Sequence, residues 1–207
     1  MNNNFIIKML GRFAKIWLGN YSNKEILYKK ELFNSFKNKG GIYIKFLQSL
    51  SITKNFMNGW GTPKDYEIFN NVSYEKIDLY KVINVNNFRY IDNNPIAGGS
   101  FAQIYKGILN SGENVIIKVL RPSIFKNIDY DLKQLKRIVR IVSLFINSRM
   151  FNINKAFDEF KNTCLLETDY EYEIANIEYF YNLYKNSNSI VIPKVFKELS
   201  SKYVIVE

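Results

Sequence analysis

The stretch NNPIAGGSFAQIYKGILNSGENVIIKVLRP, Asn93–Pro122, decides the fold. It opens with a small-residue loop, AGGS at 97–100. Two runs of strand character follow, Ala102–Leu109 and Val115–Leu120, joined by the turn NSGEN at 110–114. Gly98 and Gly99 lack a Cβ, so the backbone there can approach a ligand closely and turn N–H groups toward phosphate oxygens. The Ser100 hydroxyl adds a donor. Lys118 falls inside the apolar run VIIKV. Strand alternation puts Val115 and Ile117 on one face, and Ile116, Lys118 and Leu120 on the other, so both faces are mostly apolar. A lysine in that setting needs an anionic partner, because burying an unpaired ammonium is costly. A nucleotide phosphate or a carboxylate meets the need. The alternative is an ordinary β-meander with Lys118 facing water.

Outward from this unit, Phe88–Ile91 reads as a further strand on its amino-terminal side. Pro122 stops the last strand, and Ser123 can cap a helix to about Asn147, with Ile128, Leu132, Leu135, Val139, Val142 and Phe145 at helical spacing. Helices over Asn154–Leu166 and Asp169–Lys185 come next, then two strands, Val191–Phe196 and Tyr203–Val206. Upstream, Phe5, Met9, Phe13, Ile16 and Trp17 form the apolar stripe of an amphipathic helix that carries Lys8, Arg12 and Lys15. Such a helix either packs on its own domain or lies on a membrane surface. A helix over Lys24–Lys37 stops before Gly40-Gly41, and another covers Tyr43–Ser51. NGWGTP (58–63) is a turn, followed by short helices at 64–71 and 74–83, the second capped by Ser73.

Composition narrows the chemistry. At 207 residues, 47% hydrophobic and 23% charged, the chain reads as globular rather than disordered. It has no histidine and one cysteine, Cys164. That excludes a Cys/His zinc site, an internal disulfide and histidine acid–base catalysis, and it suits a reducing compartment. The net charge is +10, and residues 1–40 hold eight basic and two acidic side chains. Such a segment suits an anionic lipid surface or nucleic acid, or is simply a solvated helix face. No run approaches the roughly 20 apolar residues of a spanning helix, and no signal-peptide pattern opens the chain. No RNP-like, zinc or helix-turn-helix pattern supports a nucleic-acid partner.

Two further stretches carry functional groups. LLETDYEYEIANIEYF (165–180) gathers Glu167, Asp169, Glu171 and Glu173. Thr168 and Glu171 have capping-box spacing, which accounts for acidic residues in a first turn. It does not account for Glu173, which sits further in, between Tyr172 and Ile174; a partner such as Lys118 would. In GGIYIKFLQSLS (40–51), Lys45 and Gln48 share a helix face among Ile42, Ile44, Phe46, Leu47 and Leu50. That pair marks a polar site, or else a lysine snorkelling from a buried helix.

The order of glycine-containing loop, strand, hairpin and strand lysine is that of the kinase amino-terminal lobe. In combination the stretches resemble the UbiB family of atypical kinase-like proteins, also called ADCK proteins. KFLQS corresponds to the family's K-x-G-Q helix, PIAGGSFAQIYKG to its alanine-rich loop and VIIKVLRP to the strand lysine. LETDYEYEIAN corresponds to its E-x-D and E-A-x-N motifs, giving Glu167, Asp169, Glu173 and Asn176, and VIPKVFKELSSKYVIVE to the strands leading into the hinge. The likeness covers roughly residues 24–207. The chain departs from the family in placing Leu47 where K-x-G-Q has glycine, in AGGS replacing the alanines, and in ending at Glu207, where the hinge would begin.

The resemblance implies an α+β fold: a protein-kinase-like N-lobe, a five-stranded antiparallel sheet with helices, over residues 86–207. A helical N-terminal extension over residues 1–85 would precede it, with the C-lobe absent. It implies ATP with Mg²⁺ as cofactor, the metal ligands lying outside this chain. Lys118 would contact the α/β-phosphates and pair with Glu173; Ala97, Gly98, Gly99 and Ser100 would cover the phosphates; Glu207 would stand at the hinge. Lys45 and Gln48 would sit over the substrate pocket, with Lys45 facing Glu167 and Asp169. The implied activity is ATP hydrolysis or phosphorylation of a small or lipid-related partner, in support of isoprenoid-quinone (ubiquinone) biosynthesis. The implied partners are an adenine nucleotide, an anionic membrane surface, quinone-pathway proteins and a separate C-terminal half; the implied location is cytoplasmic or peripheral to a membrane. The chain alone is expected to lack phosphotransferase turnover. The competing expectation is a non-catalytic, pseudokinase-like module that binds a membrane or a partner.

Overall fold

The computed structural model describes residues 3–19, 25–51, 72–143 and 153–207. The chain folds as two compact units: Met1–Asn70 with Lys126–Thr163, and Asn71–Phe125 with Cys164–Glu207.

The second unit is built on the opening stretch. Its sheet contains β1 (Phe88–Ile91), β2 (Ala97–Gly98), β3 (Ala102–Leu109), β4 (Asn114–Leu120) and β5 (Val204–Val206). All pairings are antiparallel, in the order β1-β3-β4-β5, with β2 also on β3. β3 and β4 form the expected hairpin, its turn closed by Gly112 N–H donating to Leu109 O at 2.9 Å, with φ +95° at Gly112. The period-2 pattern buries one face: Tyr105 and Leu109 from β3, Val115, Ile117 and Val119 from β4, Val204 and Val206 from β5. Phe196, Leu79 and Ile83 close that core. Each fully buried aliphatic side chain of this kind contributes roughly 1.5–3 kcal/mol. Downstream, α4 spans Pro122–Ser143, α5 Ile153–Glu167 and α6 Tyr170–Tyr184, the last burying Tyr170 and Ile174.

The first unit is helical. It comprises α1 (Asn3–Gly19), α2 (Glu25–Lys39), α3 (Gly41–Ser51), and most of α4 and α5. Gly40 (φ +75°) and Gly41 (φ +48°) take the left-handed conformation that ends α2 and turns the chain into α3. Met9, Leu32, Phe33, Phe36, Ile42, Ile44 and Leu47 are buried together with Tyr43, which stacks on Phe36 at 5.8 Å between centroids. Leu132, Leu135, Ile138 and Val139 line the buried face of α4, while Lys133, Lys136, Arg137 and Arg140 face water. The Tyr43 hydroxyl donates to Asp131 Oδ1 at 3.3 Å. Burial first, and the Asp131 charge second, drive the Tyr43 hydroxyl pKa up; burial also raises the Asp131 carboxyl, against the opposing pull of Lys39 and the Tyr43 hydrogen bond.

The structure corrects four local expectations. Residues 74–83 are not an α-helix: the segment is irregular up to Asp78, with a 3₁₀ turn at Leu79–Lys81, and its polar groups bond to the sheet instead. Val191–Phe196 is not a strand. Pro193 interrupts it, Val191 is 91% exposed, and its contact with β5 is the Phe196 N–H donating to Val206 O at 2.7 Å. The fifth strand is Ala97–Gly98, within the stretch expected to be loop. Capping residues also differ. α4 begins at Pro122, with the Ile124 and Phe125 N–H groups donating to Arg121 O, so Ser123 lies inside the helix rather than at its cap. α6 is capped by Asp169, whose carboxylate accepts from Tyr172 N–H at 3.0 Å; Thr168 donates backward to Cys164 O and Leu165 O. The NGWGTP turn, the helix at 64–71, Lys24 at the start of α2, the helix extension over 144–147 and the Trp17 side chain lie outside the described residues. No described helix is long and apolar enough to cross a membrane.

Candidate functional site

Lys118 sits mid-strand on β4, in register with Ile104 of β3 and Ile205 of β5. Its ammonium reaches α6, where Nζ donates to both Glu173 carboxylate oxygens, at 2.6 and 2.8 Å. The first turn of α6 sets this up: Asp169 caps it, and Glu173 follows one turn on, its N–H donating to Asp169 O at 3.1 Å. The Lys118 and Glu173 side chains keep 27% and 33% of their surface exposed, so the pair is accessible to a ligand. Lys118 Nζ also lies 5.1 Å from the Tyr170 ring centroid, a cation–π distance. Tyr170 is buried, and burial together with the neighbouring Glu173 charge holds its hydroxyl protonated far above the ordinary tyrosine range.

Glu207 extends this cluster. Its N–H donates to Ile116 O at 3.0 Å and its carbonyl accepts from Ile116 N–H at 2.7 Å, continuing the β4–β5 ladder. Burial raises the Glu207 carboxyl pKa; Lys118 pulls it down and Glu173 pushes it further up. Lys118 is thus hydrogen-bonded to one carboxylate, Glu173, and electrostatically coupled to a second, Glu207.

The small-residue turn is built differently from the sequence expectation. Gly99 N–H donates to Ala102 O at 2.9 Å, so that donor is engaged inside the β2–β3 turn. Gly98 O accepts from Val72 N–H at 2.8 Å. A Cβ on Gly98 would meet the Tyr74 ring and Val72 O at 2.8 Å, whereas one on Gly99 would meet only Ala102 O, at 4.0 Å. Ala97 and Gly99 are exposed, and Ser100 is buried. The turn offers a ligand a smooth, small surface.

Sequence reasoning missed the polar cluster behind this turn. Arg121 is 2% exposed and donates from Nε to Gly99 O (3.0 Å), from Nη1 to Ser73 O (2.7 Å) and from Nη2 to Val72 O (3.3 Å). Burial lowers its pKa, and Glu75, 3.8 Å away, opposes that. Gln103, fully buried, donates to Glu75 O (3.0 Å) and to the Tyr105 hydroxyl (2.7 Å), and its Oε1 accepts from Glu75 N–H. The signal was present: Gln103 occupies an inward position on β3, two before Tyr105, and Arg121 follows an apolar strand directly.

Of the other expected residues, Lys45 and Gln48 are half-buried on α3 of the first unit, beside the fully buried Leu47. Glu167 and Asp169 are exposed in the second unit, Asp169 serving as the α6 cap.

An antiparallel five-stranded sheet, a glycine turn and a strand lysine salt-bridged to a helix glutamate define a protein-kinase-like amino-terminal lobe. Residues 80–207 match the family model of the ABC1 atypical kinase-like domain. The chain belongs to that family, in agreement with the UbiB/ADCK resemblance read from its motifs. It is 28% identical over 215 residues to a probable protein kinase UbiB of Vibrio atlanticus, covering 96% of this chain and 38% of that protein. It is 36% identical over 129 residues to the uncharacterized protein slr0889 of Synechocystis, covering 58% of this chain and 31% of that one. A solved structure of Rv3197 with erythromycin, from Mycobacterium tuberculosis, is 25% identical with a TM-score of 0.48, over 59% of this chain and 30% of that chain. The chain thus spans well under half the length of these curated relatives.

Proposed function

We propose that the chain forms the nucleotide-binding lobe of an ABC1-type atypical kinase or ATPase. The observation that carries this reading is the two-oxygen pairing of Lys118 with Glu173 on an otherwise apolar strand. A half-exposed ammonium steadied by one carboxylate is poised to meet the α- and β-phosphates of ATP, and Glu173 fixes where it points. Ala97, Gly98, Gly99 and Ser100 lie over the phosphates as a compact lid, and Glu207 sits at the adenine end. Gly99 N–H is committed within the turn, so phosphate charge is met chiefly by Lys118.

The family likeness implies Mg²⁺ bound together with the nucleotide, its ligands not among the residues assigned here. Among the described residues no cluster of three or more His, Cys, Asp or Glu side chains is placed to hold a metal ion, and Glu173 is engaged by Lys118.

Lys45 and Gln48 form the second polar element of the reading, and the family likeness assigns them to recognition of a small or lipid-related substrate. The UbiB likeness supports a role in isoprenoid-quinone biosynthesis, which this reading locates at a membrane. The basic α1, with Ile7 and Leu18 exposed beside Lys8 and Lys15, suits an anionic bilayer surface.

Calorimetric titration of the chain with ATP, beside Lys118→Ala, tests the central claim. The variant is expected to bind at least about tenfold more weakly. Equal affinity in the two proteins would remove Lys118 from the role and the reading with it.

A further inference from the structure

Val72–Glu75 forms no regular secondary structure, yet it is held at Val72, Ser73 and Glu75 by the sheet and by Arg121 just past it. Val72 N–H bonds Gly98 O; Val72 O and Ser73 O receive the Arg121 guanidinium; both backbone groups of Glu75 bond the Gln103 amide. The same guanidinium gives its remaining edge to Gly99 O, so one rigid planar group bridges the segment and the turn. The Glu75 carboxylate then accepts from Ser123 N–H at 3.3 Å and from the Ser123 hydroxyl, tying the far end to the first turn of α4.

We propose that Arg121 and Gln103 are positioning residues that fix the Ala97–Ser100 turn by strapping Val72–Glu75 against it. Position 98 is then glycine to admit the strap rather than a ligand. A Cβ there collides with Val72 O, a backbone atom that cannot move without the strap. Both turn carbonyls, Gly98 O and Gly99 O, are held by the strap or by its guanidinium. The strap sets how the turn sits, and the turn sets how phosphates meet Lys118; this last link rests on the nucleotide reading above.

The test uses the full chain with Arg121→Met, Gln103→Met and Gly98→Ala, and reads two signals. Hydrogen exchange at the Val72 and Gly99 amides is expected to speed up by about tenfold or more, while Ile117 and Val119 in β4 keep wild-type rates. ATP affinity is expected to fall about tenfold while adenosine, which has no phosphates, stays within about twofold. Unchanged exchange at Val72 and Gly99 in the Arg121 and Gln103 variants overturns the proposal, as does an equal loss of ATP and adenosine binding. If the wild-type chain binds neither ligand, the nucleotide reading fails, and the exchange rates alone decide whether the strap is held. Should Arg121→Met not fold, Arg121→Lys, which keeps the charge and loses the fork, replaces it.

Discussion

Lys118 and Glu173 show what one buried-strand lysine tells a reader of sequence. An ammonium among Ile117, Val119 and Leu120 demands an anion, and an unexplained glutamate past a helix's first turn supplies it. Arg121 was not legible in the same way, because its partners are backbone carbonyls 22, 48 and 49 positions earlier in the chain. Side-chain chemistry is written in the sequence; which carbonyls the fold brings near is not. Because Lys118 and Glu173 remain partly exposed, their mutual attraction adds little to stability, about 1 kcal/mol or less. Glu173→Gln is therefore expected to leave the urea midpoint nearly unchanged while weakening ATP binding; a large loss of stability with intact binding would give the pair a structural role. Gly107→Ala should behave oppositely. Its Cβ would press on Ile117, Phe88 and Val115 at 3.1–3.3 Å, and overpacking of that kind costs about 1–3 kcal/mol in a denaturant titration. Asp131 offers a pH signature. Its folded-state pKa is raised, so the protonated form is favoured by folding; that contribution is complete at acid pH and lost as pH rises through the raised value. Asp131→Asn is thus expected to raise Tm at neutral pH, and the gain should shrink as pH falls toward the ordinary carboxylate range.

Among the elements, the long periodic ones were readable and the short irregular ones were not. β3 and β4 alternate cleanly around a glycine-containing turn, and α4, α5 and α6 repeat at helical spacing, so local pattern and tertiary burial agree. The 74–83 segment follows a capping serine and has scattered apolar residues, but both backbone groups of Glu75 bond Gln103, and the preceding Val72 and Ser73 are held by Gly98 and Arg121. Long-range partners overrode a weak local preference there. The reverse holds at Val191–Phe196, where β-branched residues suggest a strand that Pro193 forbids in the ladder. β4 is the element on which the second unit depends, since it pairs with β3 on one side and β5 on the other. Ile117→Ala, at a fully buried position, should lower unfolding stability by about 2–5 kcal/mol; a loss below about 1 kcal/mol would contradict the packing described for that face.

At the scale of the whole molecule, charge is the most general property: +10 overall, with much of the excess in the first helices. If α1 meets a bilayer, the chain should co-sediment with vesicles containing phosphatidylserine, and less so as salt rises from low to physiological, because exposed charges are screened beyond about 8 Å at 0.15 M. Lys8→Glu with Lys15→Glu should abolish that sedimentation. Binding that is indifferent to both salt and charge reversal would rule the bilayer out as the partner of this face. α4 and α5 each begin in one unit and end in the other, and a helix carries no mark in its sequence of where such a boundary falls.

The position of β5 has a consequence for biosynthesis. β4 finds its second neighbour only when Val204–Val206 arrive, long after β4 itself has left the ribosome. Until then a nascent chain carries VIIKVL with one edge unpaired, the kind of short β-prone hexapeptide that recruits its own copies. The charge at its fourth residue interrupts that run and acts as a gatekeeper against self-association. Replacing this residue by isoleucine should reduce soluble yield well beyond what the lost ion pair costs the finished fold, and supplying a holdase chaperone during translation should restore it.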